Sequence, residues 1–135
     1  MEQRAERDPL TYRVIGAYMG VYRALGWGFL EAVYQRALCV ELQHSGIAFA
    51  AQPLSPVQYR GVLVGEYRAD LIVENSIIVE LKVAEMLTGT HRAQLLNYLK
   101  ATTIERGLLF NFGPKPAFER LILTNDRKQP RPLKL

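Results

Sequence analysis

Tyr67-Arg68-Ala69-Asp70-Leu71-Ile72-Val73-Glu74-Asn75-Ser76-Ile77-Ile78-Val79-Glu80-Leu81-Lys82 reads as two strands folded about a turn. The β-branched runs Glu66–Val73 and Ser76–Val83 are bounded by Glu74-Asn75, a pair suited to a tight turn. Residues two apart in a strand share a face, so Glu80 and Lys82 point one way and Val79, Leu81 and Val83 the other. Charges in so apolar a strand are costly unless paired, solvated or bound to a metal. The turn returns the chain antiparallel and brings Asp70 towards the end of the strand that carries Glu80.

Outward from this hairpin, Val57–Tyr59 is a further short strand, with Gly61 and Gly65 marking the turn region after it. Two hairpins or a three-stranded meander fit this spacing. Upstream, Asp8-Pro9 starts a helix running to Leu25, with Val14, Ile15, Tyr18, Val21 and Tyr22 at helical spacing. Gly26-Trp27-Gly28 ends it, and a second helix is expected from about Phe29 to His44. Downstream, a third helix is expected from Thr90, taken as its N-cap, to about Thr102. Strands follow at Gly107–Phe112 and Phe118–Leu123. The order α-α-β-β-β-α-β-β predicts an α/β (α+β) fold, a mixed β-sheet flanked by helices. The expected division is one domain over residues 1–125 and a mobile basic tail over 126–135, with Arg127, Lys128, Arg131 and Lys134.

The 135 residues are enough for one domain with a core of its own, at 49% hydrophobic and 22% charged. Mean hydropathy near zero is that of an ordinary globular chain. No apolar run reaches the ~18 residues of a membrane span, and Met1–Asp8 has no apolar signal region. The expectation is a cytoplasmic protein without membrane attachment. Cys39, the single cysteine, excludes an intrachain disulfide and suits a reducing compartment. The net charge of +4 permits a polyanionic partner without demonstrating one. Walker, G-x-G-x-x-G and G-x-S-x-G motifs do not occur, which argues against NTP hydrolysis, dinucleotide binding and serine-esterase chemistry.

Three groups of residues carry candidate chemistry. Asp70, Glu80 and the backbone carbonyl of Leu81 offer oxygens suited to a hard divalent ion, Mg²⁺ or Mn²⁺. Lys82 beside them would orient or deprotonate a water, or stabilise charge on a phosphate. The alternative for this group is a solvated ion pair on an exposed sheet face. In Gly28-Phe29-Leu30-Glu31-Ala32-Val33-Tyr34, Glu31 and Tyr34 share a helical face. Glu31 would add a carboxylate to the site, or would simply favour the positive end of the helix dipole. On the third helix, His91, Gln94 and Tyr98 form a polar face that would contact phosphates or bases, or only solvent. His44 and His91 are too far apart in sequence for a local metal motif.

Together these segments resemble the GxxExxY protein family, a branch of the PD-(D/E)XK nuclease-like superfamily. The matching residues are Leu25–Tyr34, Tyr67–Asp70, Val79–Lys82, His91–Leu99 and Gly107–Gly113, spread over roughly Leu10 to Leu123. The resemblance implies a restriction-endonuclease-like core. It makes Glu31, Asp70, Glu80 and Lys82 the catalytic set, with Asp70 and Glu80 binding the metal. It makes Gln94 and Tyr98 a Gln-x-x-x-Tyr pair of the RecB type, supporting the site or touching nucleic acid. Tyr22 stands where similar sequences often carry histidine, and Trp27 where they often carry proline.

The function implied is a Mg²⁺- or Mn²⁺-dependent nuclease hydrolysing DNA or RNA. Arg68, Arg92, Lys100 and the tail would contact the phosphate backbone. The alternatives are a non-catalytic nucleic-acid or protein interaction module that keeps the fold, or an enzyme acting on another phosphate ester. With no zinc finger or helix-turn-helix to supply sequence specificity, the expectation is recognition of shape or ends, or targeting by a partner protein. The first helix, with Tyr12, Tyr18 and Tyr22, is a candidate homodimer surface, and core packing is the competing use of those rings.

Overall fold

A computed structural model describes residues 8–128. Helix α1 (Pro9–Leu25) begins as the sequence predicts: the Asp8 side chain accepts from the Thr11 N–H, and Pro9 occupies the first turn. Asp8 also pairs with Arg106 at the start of a distant strand. Burial alone would raise the Asp8 pKa, but the bonds from Thr11 and Arg106 hold it below the usual carboxylate range. Helix α2 (Glu31–His44) starts two residues later than the spacing predicts.

Seven strands follow: β1 (Phe49–Ala51), β2 (Leu54–Tyr59), β3 (Val62–Arg68), β4 (Leu71–Val73), β5 (Ile77–Lys82), β6 (Arg106–Asn111) and β7 (Ala117–Ile122). Helix α3 (Gly89–Lys100) lies between β5 and β6. The main sheet has the order β1-β4-β5-β6-β7, and β2-β3 forms a separate ribbon. The β5–β6 pair is parallel, with α3 as the crossover, and the other pairs are antiparallel. The expected mixed sheet with flanking helices is therefore present.

Three sequence expectations need correction, and one open alternative is decided for core packing. The strand expected over Glu66–Val73 is broken at Ala69-Asp70, and its halves join different sheets. Its partner strand breaks at the same level, where Gln52 has φ 50° and Pro53 follows without an N–H to donate. The β1 strand has no counterpart in the sequence reading, because its three residues carry too little pattern. The N-cap of α3 is Thr88, not Thr90: Thr88 Oγ1 accepts from the His91 N–H, and His91 Nδ1 accepts from the Thr88 N–H. Finally, Tyr18 is buried, and Tyr22 is packed against the core. Of the three rings proposed as a dimer surface, only Tyr12 is exposed.

The sheet separates two apolar clusters. One face carries Val79, Leu81, Leu108 and Phe110 against α1 and α2. The other packs Ile78 and Leu109 against Leu95 and Leu99 of α3. Tyr18 stacks on Phe110 at 4.3 Å, and its hydroxyl donates to the Asn111 carbonyl at 2.6 Å. Burial pushes that phenol up to about 12. The chain past residue 125 is partly described: Asn125–Arg127 form a 3₁₀ turn, and Lys128 Nζ donates to the carbonyls of Thr102 and Ile104, each at 2.8 Å. The remainder of the expected basic tail, Arg131 and Lys134 included, lies outside the described residues.

Candidate active site

The β4–β5 hairpin sets the centre of the site. Glu74 and Asn75 both adopt positive φ, 51° and 53°, and the Ser76 N–H donates to the Val73 carbonyl at 2.8 Å. This left-handed turn matches the twist of the strands it joins. The register pairs Leu71 with Val79, so Asp70 comes level with Glu80. The two carboxylates then interlock with each other's backbone. Glu80 Oε2 accepts from the Asp70 N–H at 3.1 Å, and Asp70 Oδ2 accepts from the Leu81 N–H at 2.7 Å.

That interlock leaves Asp70 Oδ1 and Glu80 Oε1 without a hydrogen bond from the described residues, and neither is sealed from solvent. The Leu81 N–H faces the β4 edge, whereas the Lys82 carbonyl accepts from the Phe112 N–H on the β6 side. Alternation along the strand therefore sends the Leu81 carbonyl to the same edge as Asp70.

Glu80 is almost fully buried, and its carboxyl is pushed up to about 8. Desolvation is the main cause, with repulsion from Asp70 next and a smaller contribution from Glu31. Asp70 is raised by burial, against the opposing effects of its Leu81 bond and Lys82. Glu31, first residue of α2, is raised by burial and by Asp70, and lowered by Lys82. The four residues expected to act together are thus electrostatically coupled. Burial and mutual repulsion thus resist ionisation of Glu31, Asp70 and Glu80, a cost that a nearby divalent cation would offset.

Lys82 Nζ donates to Gln94 Oε1 at 2.9 Å, tying the strand to α3. Tyr98, one turn further on, has its phenol raised by burial and by Glu80 and Asp70. Its ring stacks on Tyr67 at 4.1 Å and 4° between planes. His91 is committed through Nδ1 to the helix cap. Tyr34 is fully buried; it donates to the Gly26 carbonyl at 2.6 Å and accepts from the Phe29 N–H at 3.2 Å. It supports the loop before Glu31 and has no surface for a substrate. Tyr22 donates to the Gly113 carbonyl at 2.6 Å.

Three supporting residues had no role in the sequence reading. The Asp70 carbonyl accepts from the Gln52 N–H at 2.9 Å and from Gln35 Nε2 at 3.5 Å. Gln35 also accepts from Gln52 Nε2 at 3.3 Å. Gln35 sits four residues after Glu31, on the same face of α2, and that spacing was the available signal. Tyr67 is the third, and only the fold brings it onto Tyr98. Of the expected phosphate contacts, Arg92 pairs with Glu119 at 2.8 Å and Arg68 donates to the Gln52 carbonyl at 3.1 Å.

Among the described residues, no three His, Cys, Asp or Glu side chains gather closely enough to ligate one ion together. Magnesium is commonly held by one or two carboxylates with waters completing its shell, and Asp70, Glu80 and the Leu81 carbonyl fit that mode.

The comparisons agree with this architecture. A family model described as the PD-(D/E)XK nuclease superfamily matches residues 8–121. Among solved structures, "Crystal structure of SSO0001" matches with a TM-score of 0.53 and 20% identity over 93% of this chain. This chain spans 64% of that one, less than two-thirds of its length, and at this identity the likeness shows the fold alone. No curated protein matches the chain. With 114 of its residues, 8 through 121, matched by the family model, the chain belongs to the PD-(D/E)XK nuclease superfamily.

Proposed function

We propose that this protein is a metal-dependent nuclease that hydrolyses phosphodiester bonds of DNA or RNA, in the GxxExxY branch of its superfamily. The observation that carries the reading is the interlocked Asp70–Glu80 pair, each carboxylate held by a backbone N–H beside the other, with Lys82 two residues on from Glu80. Nucleases of this superfamily typically use divalent metals. Asp70, Glu80 and the Leu81 carbonyl would hold Mg²⁺ or Mn²⁺, with Glu31 as a further acid. When bound, such an ion supplies an activated water and stabilises charge on the phosphoryl group.

The chain's own residues do the rest. The Leu81 N–H and Asp70 N–H orient the two carboxylates, each through one oxygen. Lys82, aimed by Gln94, would donate to a phosphoryl oxygen as negative charge grows there. Tyr98 would bind the substrate backbone beside it. The free thiol of Cys39 and the helices, none long and apolar enough to cross a membrane among the described residues, accord with a cytoplasmic site of action.

The test is cleavage of labelled single-stranded DNA, duplex DNA, branched DNA and RNA by wild type and Lys82→Ala, in Mg²⁺, Mn²⁺ or EDTA. Metal-dependent cleavage lost by at least 100-fold in the folded variant is expected, about the loss for removing one charge-stabilising donor. Binding that is equal in EDTA and magnesium, with no cleavage of any substrate, would replace the reading with a non-catalytic module.

A further inference from the structure

The loop that delivers Glu31 carries an apolar ridge that the proposed chemistry does not use. Trp27 is 60% exposed, Phe29 48% and Leu30 78%, and Val33 one turn on is also exposed. The ridge is held in place. Gly26 and Gly28 take positive φ of 67° and 121°, and the Tyr34 hydroxyl bonds both the Gly26 carbonyl and the Phe29 N–H. The Phe29 ring packs edge-on to Tyr34 at 6.0 Å. Keeping large apolar side chains in water on an anchored loop costs free energy, and such patches mark contact sites.

Its position narrows the occupant. Phe29 lies two residues from Glu31, and the four-residue step from Trp27 to Glu31 spans at most about 14 Å. That is about four stacked nucleotides along one strand. A nucleic-acid strand held at Glu31 would therefore reach the ridge within its own length. Phosphates gain nothing from Leu30 or the ring faces, but unstacked bases do.

Resting on the nuclease reading above, we propose that Trp27 and its neighbours form a base-stacking ridge that engages unpaired nucleobases next to the scissile phosphate. The preferred substrates are then single-stranded or branched nucleic acids rather than blunt duplex. Trp27 supplies the π-face, and Phe29 and Leu30 wedge beside it. The Tyr34 hydroxyl fixes the ridge relative to Glu31.

Trp27 is the only tryptophan in the chain, so its emission reports on the ridge directly. Full-length Lys82→Ala protein in Mg²⁺ would be titrated with a single-stranded oligonucleotide, the same strand with abasic positions, a blunt duplex and a flapped duplex. Emission and fluorescence anisotropy of end-labelled strands would be followed together. Quenching by base-bearing single strands and flaps, but not by abasic strands, is expected. Trp27→Ala should weaken binding of the single strand about tenfold, and Trp27→Phe should restore most of it. Circular dichroism and melting of both variants check that the fold is kept.

Equal affinity for abasic and base-bearing strands, with Trp27→Ala unaffected while wild type still cleaves, would overturn the ridge and leave the nuclease reading standing. No binding of any strand and no cleavage by wild type would overturn both. Emission that shifts with protein concentration alone, with a doubled size on gel filtration, would assign the ridge to a second copy of the chain and overturn the proposal.

Discussion

Burial and the neighbouring Asp70 carboxylate keep a proton on Glu80 up to about pH 8, whereas the same side chain in the unfolded chain releases it near 4.5. Between those values the folded state binds more protons than the unfolded one, so stability falls as pH rises through that window. Asp70 and Glu31 are shifted in the same direction and add to the slope. Melting of metal-free protein should therefore drop from acid to neutral pH, and Glu80→Gln should flatten the profile. A divalent cation competes with the proton, so Mg²⁺ should raise the melting temperature more at pH 8 than at about pH 6. Gln94 is a positioning residue for Lys82. Gln94→Ala should lower kcat by about 10- to 100-fold with little change in KM, read from steady-state cleavage, while Gln94→Glu should keep the contact. Asp70, Glu80 and Lys82 drew attention in the sequence because charges inside apolar runs need a reason, whereas Glu31 read as well as a first-turn acid and joined them only through the family resemblance. Gln52 was not legible: its role depends on φ 50° and on Asp70 lying across the ribbon from it.

Local signals located most elements, and failures occurred where a distant partner decides the outcome. Asp8-Pro9, Gly26 and Glu74-Asn75 mark their boundaries through capping and turn geometry within a few residues of each. The alternation across Glu66–Val73 continues through Ala69-Asp70, so nothing within that run announces the break. The break comes from the partner side, where Gln52-Pro53 ends pairing between β1 and β4, and pairing resumes in β2 and β3 without loss of register. The misplaced start of α3 has a similar origin: Thr88 and Thr90 are equivalent by type, and only the reciprocal bonds to His91 distinguish them. Thr88→Ala should cost about 1 kcal/mol by urea denaturation, whereas Thr90→Ala, inside the helix and without a capping bond, should be neutral or stabilise by a few tenths. Because α3 carries Gln94 and Tyr98, the same change should loosen Lys82.

The molecule joins its parallel strands at one end through backbone contact. A methyl group on Gly113 would sit 1.9 Å from the Ala84 carbonyl oxygen, so the segments following β5 and β6 pass too closely for any side chain. Asn111 fastens the same junction, accepting from the Ala84 and Gly113 N–H groups and donating to the Ala84 carbonyl. Gly113→Ala should destabilise by about 3 kcal/mol, visible as a lower urea midpoint with unchanged m-value. In the sequence Gly113 is only the last residue of the family-like segment Gly107–Gly113, because its crowding comes from residues almost thirty positions earlier. The Glu74-Asn75 turn has a wider consequence. Surface turns normally absorb insertions and deletions between relatives, but here turn length sets which residue lies level with Glu80. One residue gained or lost there would turn a carboxylate towards the opposite face of the sheet while leaving a chain that still folds. Drift in loop length at this point is thus a route by which a lineage would keep the scaffold and lose its chemistry without changing any acid in it.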